Sequence, residues 1–287
     1  AETTHFTFEW ERPVRRGVEA KMRIFVILTL ILPTLLAEEL RLVAYNIHHG
    51  EGMDGKLDLE RIAKVIAAEK PDLVALQEVD KGCKRSGGVD QAVELAKILK
   101  MEQRFGKFMD YQGGEYGMAV LSRLPIVETI IHKLPKGAEP RIALEVVVKS
   151  PKWPGKFSFI SIHNDWIKEP LRVKQIKVLQ AGLKNCKHPV ILAGDFNAEP
   201  KSDSLMALEE NGWKMLREGR KNTWSASKPK VEIDFFFAKG LPVSQFQDTV
   251  IAEKVASDHR PIAVVITANA EKNAKPESAL PLDHGHQ

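Results

Sequence analysis

From about residue 38 onward, short apolar runs alternate with segments whose apolar positions recur at helical spacing. Residues 40–48 read as a strand. Over residues 57–69, Leu59, Ile62, Val65 and Ile66 share one helical face, and Asp58 is placed to cap it. Pro71 stops that helix, and residues 72–79 form a second strand that ends at Glu78. Asp90 is positioned to cap a helix carrying Ala92, Leu95, Ala96 and Leu99 on one side. Five strand candidates follow at 103–109, 116–122, 126–134, 141–149 and 157–163. Gly113-Gly114, Leu124-Pro125 and Trp153-Pro154-Gly155 punctuate most of them. A helix begins at Pro170, with Val173, Ile176, Leu179 and Leu183 turned inward. The strand at 190–194, a short helix at 202–211 and strands at 231–238, 249–251 and 262–267 complete the pattern.

Several of these strands carry runs of consecutive apolar residues, as expected for strands covered on both faces. Two sheets packed face to face, with helices on their outer faces, would account for that. The chain has 287 residues, 44% hydrophobic and 28% charged, with a net charge of +4. This is ordinary globular composition, and the mild basicity is compatible with a phosphate-bearing substrate without singling out nucleic acid.

The first 37 residues stand apart. Met22 lies between Lys21 and Arg23, residues 24–36 are largely apolar, and Ala37 meets Glu38-Glu39. A basic start, a short apolar stretch and a small residue describe a secretory signal. We therefore expect residues 1–21 to be an upstream leader or fragment, 22–37 a signal peptide, and the mature protein to be exported. An uncleaved membrane anchor is the alternative. Residues 38–267 make the expected catalytic domain, and 268–287 a disordered tail rich in Ala, Lys, Glu and Pro. Cys83 and Cys186 have no metal-binding spacing and are expected to be free thiols.

Small polar residues cluster at the ends of the apolar runs: Asn46 with His48, Glu78, His163 with Asn164 and Asp165, Asp195 with Asn197, and Asp258 with His259. Polar groups at a buried strand end are costly unless they are hydrogen-bonded or bind something. Asp234, inside the aromatic segment Ile233-Asp234-Phe235-Phe236-Phe237, needs a partner, and a histidine would serve. Phosphate ester hydrolysis asks for such a set. Glu78 is a hard oxygen ligand for Mg²⁺, Asp195 a candidate to activate water, and Asn197, His163 and His259 candidate donors to phosphate.

Six segments in order, Tyr45-Asn46-Ile47-His48, Leu76-Gln77-Glu78-Val79, Ile162-His163-Asn164-Asp165, Gly194-Asp195-Phe196-Asn197, Ile233-Asp234-Phe235 and Ser257-Asp258-His259-Arg260-Pro261, resemble the endonuclease/exonuclease/phosphatase superfamily. The resemblance runs from about residue 40 to 267. It implies a four-layer α/β/β/α sandwich that hydrolyses phosphodiesters or phosphomonoesters with Mg²⁺, for which Mn²⁺ can substitute. It places Asn46 and Glu78 on the metal side, with Asp258 completing the set. It makes Asp195 the residue that activates water, Asn197 and His163 phosphate contacts, and His259 the histidine at the scissile phosphate, braced by Asp234. Arg141 is a further substrate contact. Whether Asp195 or His259 takes the proton is left open. Two positions depart from the family: Met118 stands where Asn is usual, and Glu232 where a basic residue is common.

Against these readings stand plainer ones. His48 and His49 suit a solvated loop, Asp165 a loop cap, and Arg217, Arg220 and Lys221 a solvated face; Trp166 and Trp224, near motif residues in sequence, suit either the cleft wall or core packing. For substrate, the sequence favours a phosphodiester, including nucleic acid held on a basic turn of Lys149, Lys152, Trp153 and Lys156. A lipid or inositol phosphate is the alternative, and a non-catalytic binding module the third. No obligate protein partner is implied, and a monomer is expected.

Overall fold

In the computed structural model, residues 39–150, 155–241 and 243–268 are described. The expected leader, signal peptide and tail, and Lys152 and Trp153 of the basic turn, lie outside these residues. Twelve strands and four α-helices follow in order: β1 (Glu39–Asn46), α1 (Leu59–Ala68), β2 (Leu73–Lys81), α2 (Gln91–Leu99), β3 (Glu102–Tyr111), β4 (Gly114–Ser122), β5 (Ile126–Leu134), β6 (Arg141–Lys149), β7 (Lys156–His163), α3 (Glu169–Gly182), β8 (Val190–Asp195), α4 (Asp203–Glu209), β9 (Lys214–Met215), β10 (Asp234–Lys239), β11 (Val243–Val250) and β12 (Ile262–Ala268).

The strands form two six-stranded mixed sheets. One runs β11-β12-β1-β2-β4-β3 and the other β5-β6-β7-β8-β10-β9. Residue alternation decides what each strand face meets. In β1, Leu40, Leu42 and Ala44 enter the core between the sheets, while Val43 and Tyr45 pack with Ile62, Ile66 and Leu95 of α1 and α2. In β10, Phe236 and Ala238 face the other sheet, while Phe235 and Phe237 pack with Ile176 and Leu179 of α3 and Leu205 and Leu208 of α4. Three apolar layers therefore separate four structural layers, α/β/β/α, as the sequence resemblance implies.

Helix ends follow their sequence signals. The Asp58 carboxylate accepts from the Arg61 amide and the Asp90 carboxylate from the Val93 amide, at 2.8 and 3.2 Å. Strand limits differ from expectation where packing extends the pairing. β11 runs from Val243 rather than 249, because it pairs along almost the whole of β12. The two-residue β9 has too little pattern to be read from sequence. Residues 231–233 do not belong to β10; the strand begins at Asp234, which stands at its mouth rather than inside it. Met118 is fully buried between the sheets, so it packs where the family's Asn would be polar. Both cysteines are free.

Candidate active site

Register brings the polar strand ends together. His163 ends β7 and pairs abreast with Asp195 at the end of parallel β8. Asp195 in turn stands directly opposite Asp234, the first residue of antiparallel β10. Three neighbouring strands of one sheet thus present His163, Asp195 and Asp234 side by side. The other sheet contributes Asn46 from the end of β1, Glu78 from β2, and Asp258 and His259 from the segment entering β12.

Glu78 reaches the site through a backbone irregularity. The β2–β4 register passes from Gln77 opposite Met118 to Val79 opposite Gly117, so Glu78 is an extra, unpaired residue. Its φ of 57° is left-handed, an expensive conformation for a side-chain-bearing residue. Such a bulge re-aims a side chain and recurs beside functional sites. Gly194, one residue before Asp195, has a φ of 142°, and a Cβ there would lie 2.1 Å from the Ile162 carbonyl oxygen. Only glycine lets β7 and β8 close tightly enough to set His163 beside Asp195.

The contacts converge on Asp195. The Asn46 Nδ2 donates to Glu78 Oε1 at 3.0 Å and to Asp195 Oδ2 at 3.2 Å. Asn46 Oδ1 accepts from the His48 amide, so its carboxamide turns nitrogen toward both carboxylates. Asp195 Oδ2 lies 3.4 Å from His163 Nε2 and 3.7 Å from His259 Nε2. On its far side, His259 Nδ1 meets Asp234 Oδ2 at 3.0 Å. Asn197, also with positive φ, donates its amide to Asp195 Oδ1 and its side chain to the Asn164 carbonyl.

Burial and charge set the protonation states. Burial pushes the Asp195 carboxyl up, the His259 charge opposing and Asp234 adding, to about 7. For His259, burial opposes the charged form, but Asp234 and Asp195 outweigh it and raise the imidazole to about 10. Burial, with Arg141 and His259 adding, holds His163 well below its ordinary value. At neutral pH the site therefore holds a charged His259, a neutral His163 and an Asp195 poised to exchange a proton.

A cleft of about 740 Å³ opens over this cluster, lined by Glu78, Arg141, His163, Asp195, Asn197, Asp258 and His259 among others. Asn46 and Asp234 stand behind that lining and support it. Arg141 is buried, lies 3.2 Å from Glu139 and stacks over Phe108 at 5.3 Å. Asp258 accepts from Trp224 Nε1 at 3.3 Å. Of the His163-Asn164-Asp165 run, only His163 lines the cleft: Asn164 bonds Gln175, and Asp165 caps a loop through the amides of Ala138, Ile167 and Lys168.

Other residues complete the cleft or depart from their plainer reading. Trp166 and Trp224 are 61% and 44% exposed and line the cleft, so they are not core. Arg85, Tyr111 and Tyr116 line it too; Arg85 is held by two 2.8 Å bonds to Asp80 and stacks on both tyrosines. No motif signals these positions. Glu232 is buried and paired with Arg217 away from the cleft lining, so its charge does not face substrate, and Arg217 is no solvated residue. His49 is buried rather than solvated. Lys149 and Lys156 pair at the opposite ends of β6 and β7 from Arg141 and His163, roughly 23 Å along the strands. A backbone riding that turn would not follow the cleft.

Among the described residues, two groups of side chains have ligand atoms within 4.8 Å of one another: His48, His49 and Glu78, and Asp195, Asp234 and His259. In the first group the Glu78 carboxylate supplies a hard oxygen of the kind a divalent cation takes, and Asp258 offers another on the cleft wall; in the second, charged His259 already lies between the two carboxylates.

Twin sheets with helices outside, and acid, amide and imidazole groups at one set of strand ends, define the α/β/β/α class of fold typical of phosphoesterases. A family model described as the endonuclease/exonuclease/phosphatase family matches residues 43–259, and the chain belongs to that family. Similar solved structures include a functionally unknown conserved protein from Enterococcus faecalis (21% identity, TM-score 0.68, covering 80% of this chain and 100% of that one). A mannosyl-6-phosphatase from Bacteroides thetaiotaomicron is similar at 19% identity and TM-score 0.64 (79% and 99%). Truncated TDP2 from Caenorhabditis elegans is similar at 16% identity and TM-score 0.61 (80% and 98%). A comparison with curated protein sequences gives no match.

Proposed function

We propose that the chain is an exported, Mg²⁺-dependent phosphoesterase that hydrolyses a phosphodiester by in-line attack of water. The observation that carries this is His259, held charged by Asp234 and facing the same point as Asp195, His163 and the Asn46–Glu78 pair. When bound, Mg²⁺ supplies charge neutralisation at the phosphoryl oxygens, and Glu78 and Asp258 are the carboxylates on the cleft wall that would hold it. Asp195, with its raised pKa, takes the proton of the attacking water. His259 is already protonated, so it donates to the phosphoryl group rather than acting as base. Asn197 and Arg141 supply further donors. Asn46 bridges Glu78 and Asp195 and fixes their separation.

The cleft favours a compact substrate. Six carboxylates line it against three arginines, Arg85, Arg141 and Arg172, which does not suit a long polyanion track. A second reading, a lipid or inositol phosphate, is favoured by Trp166 and Trp224, whose exposed indoles suit a headgroup surface or a ring.

The test is hydrolysis of bis-p-nitrophenyl phosphate and p-nitrophenyl phosphate with Mg²⁺, Mn²⁺ or EDTA, beside Asp195→Ala. Metal-dependent diester cleavage that the variant lacks supports the proposal. Cleavage of the monoester alone moves the assignment to a phosphatase, and EDTA-insensitive turnover removes the metal from it.

A further inference from the structure

Immediately after Asn46 the chain makes a tight turn in which His48 and His49 have φ values of 45° and 44°, two consecutive left-handed residues with bulky side chains. Such conformations are costly and persist only where the surroundings enforce them. Here the enforcement is visible. The buried Gln91 side chain donates to the His49 carbonyl at 2.6 Å and accepts from the Asp80 amide at 2.9 Å. Gly50 closes the turn against Gln91, leaving no room for a Cβ. Of this turn the hydrolytic cluster uses only the His48 amide, which orients Asn46; neither imidazole lines the cleft.

What the turn achieves is to bring two imidazoles to Glu78, with one ligand atom from each of the three within 4.8 Å of the others. His49 is 8% exposed, and its Nδ1 is buried with no hydrogen-bond partner. A buried ring nitrogen without a partner is costly in a turn that serves only shape. Its Nε2 lies 3.5 Å from the Glu51 carboxylate. An imidazole with one nitrogen directed at a carboxylate and a lone pair free on the other is oriented as metal-binding histidines are. On the His48 ring, Nδ1 is 3.2 Å from the Glu51 carbonyl oxygen, so the same residue steers both rings.

We propose that His48, His49 and Glu78 form a binding site for a divalent transition-metal ion of borderline softness, with Zn²⁺ as the natural probe. Two nitrogens and one carboxylate are the donor set of an open Zn²⁺ site, three protein ligands with a position left for water or substrate. Mg²⁺ takes oxygen ligands and does not compete for the imidazoles. The proposal touches the hydrolytic reading only through Glu78, which both would use.

The test uses the full chain, stripped with EDTA, with His284→Gln and His286→Gln as background so that those histidines bind nothing. Zn²⁺ binding is measured by equilibrium dialysis in millimolar Mg²⁺, and the coordination by the visible ligand-field bands of Co²⁺. One ion per chain is expected. His48→Gln and His49→Gln should each weaken Zn²⁺ binding more than about tenfold, because loss of even an outer-shell partner commonly costs 10–100-fold. His259→Gln should leave it unchanged. Equal affinity in the parent and both turn variants overturns the site, and loss confined to His259→Gln moves the ion to the Asp195–Asp234–His259 group. If His49→Gln fails to fold by circular dichroism, the partly exposed His48 decides. Zn²⁺ binding without Mg²⁺-dependent hydrolysis defeats only the hydrolytic reading; hydrolysis without Zn²⁺ binding defeats only this one.

Discussion

Asp195 and Asp234 face each other across β8 and β10 in register, and the imidazole of His259 joins them, 3.0 Å from Asp234 and 3.7 Å from Asp195. Two buried carboxylates this close could not both be charged without a cation between them. His259 is that cation, supplied from the other sheet. The pairing ties the protonation of the site to the docking of the two sheets.

Asp234→Asn should therefore act on His259 rather than on substrate. Removing the carboxylate lowers the imidazole pKa from about 10. A histidine with a raised pKa contributes stability that is complete below about 6.5 and lost as pH rises through the folded value. In the variant, the alkaline fall of kcat and of thermal stability should both begin at lower pH, with kcat at pH 8 reduced at least tenfold. A pH–rate profile with an unmoved alkaline limb would show that Asp234 does not hold the charge.

Asp195→Asn should separate function from stability. A carboxyl raised to about 7 favours the fold while protonated, so the metal-free protein loses stability as pH climbs from about 4 to 7. The amide avoids that loss. Hydrolysis should disappear, yet in EDTA at pH 8 the variant should melt several degrees above the parent, since about 1 kcal/mol moves Tm by ~2–4 °C in a domain of this size. The gap should vanish near pH 4. A variant that melts lower at pH 8 contradicts the assigned cost of ionising Asp195.

The exposed indoles test the cleft mouth. Trp166→Ala removes a side chain that is 61% exposed, so Tm should shift by less than ~2 °C. If Trp166 holds the leaving group, KM should rise severalfold with kcat nearly constant. Steady-state kinetics on the best diester decides: an unchanged KM removes Trp166 from the substrate site.

The layered fold was legible because β1, β6, β8 and β10 carry runs of consecutive apolar residues, which burial on both faces explains, and because the six motifs resemble a family with that layering. The site was legible in part because Asp195, His163 and His259 sit against those runs. What was not legible depends on register or on empty space. Nothing local sets Asp234 opposite Asp195, or turns Glu78 outward at a bulge. Trp166 and Trp224 read equally as core or cleft wall, because aromatic residues usually pack inside; each lies on a loop with its indole exposed at the cleft. His48 and His49 read as a solvated loop because the clamp from Gln91 comes from 42 residues away. Glu232 read as a charge near substrate because its partner Arg217 lies 15 residues upstream.

That pair gives a prediction about stability alone. Glu232 is buried, and burial raises its carboxyl pKa even though Arg217 and backbone donors oppose the rise. Arg217→Met leaves the carboxylate without its cation, and breaking a buried pair from one side costs about 3–5 kcal/mol. Urea unfolding should show a loss of that order, and Glu232→Gln in the same chain should restore part of it. KM should not change, since neither residue lines the cleft. An Arg217→Met protein as stable as the parent would return Arg217 to the solvated surface.

Glu78 combines strain and chemistry in one residue, so the two can be separated. Its φ of 57° costs an L-residue about 1–2 kcal/mol relative to ordinary backbone, and glycine removes that cost. Glu78→Gly should fold and melt at or slightly above the parent in EDTA. It should also lose metal-dependent hydrolysis and the stabilisation that bound Mg²⁺ gives. Glu78→Ala keeps the strain and should lose the same activity while melting below the glycine variant. Residual Mg²⁺-dependent turnover in both would remove Glu78 from the metal site. A glycine variant less stable than alanine would mean that the bulge is held by the Glu78 contact with Asn46 rather than imposed by the sheet.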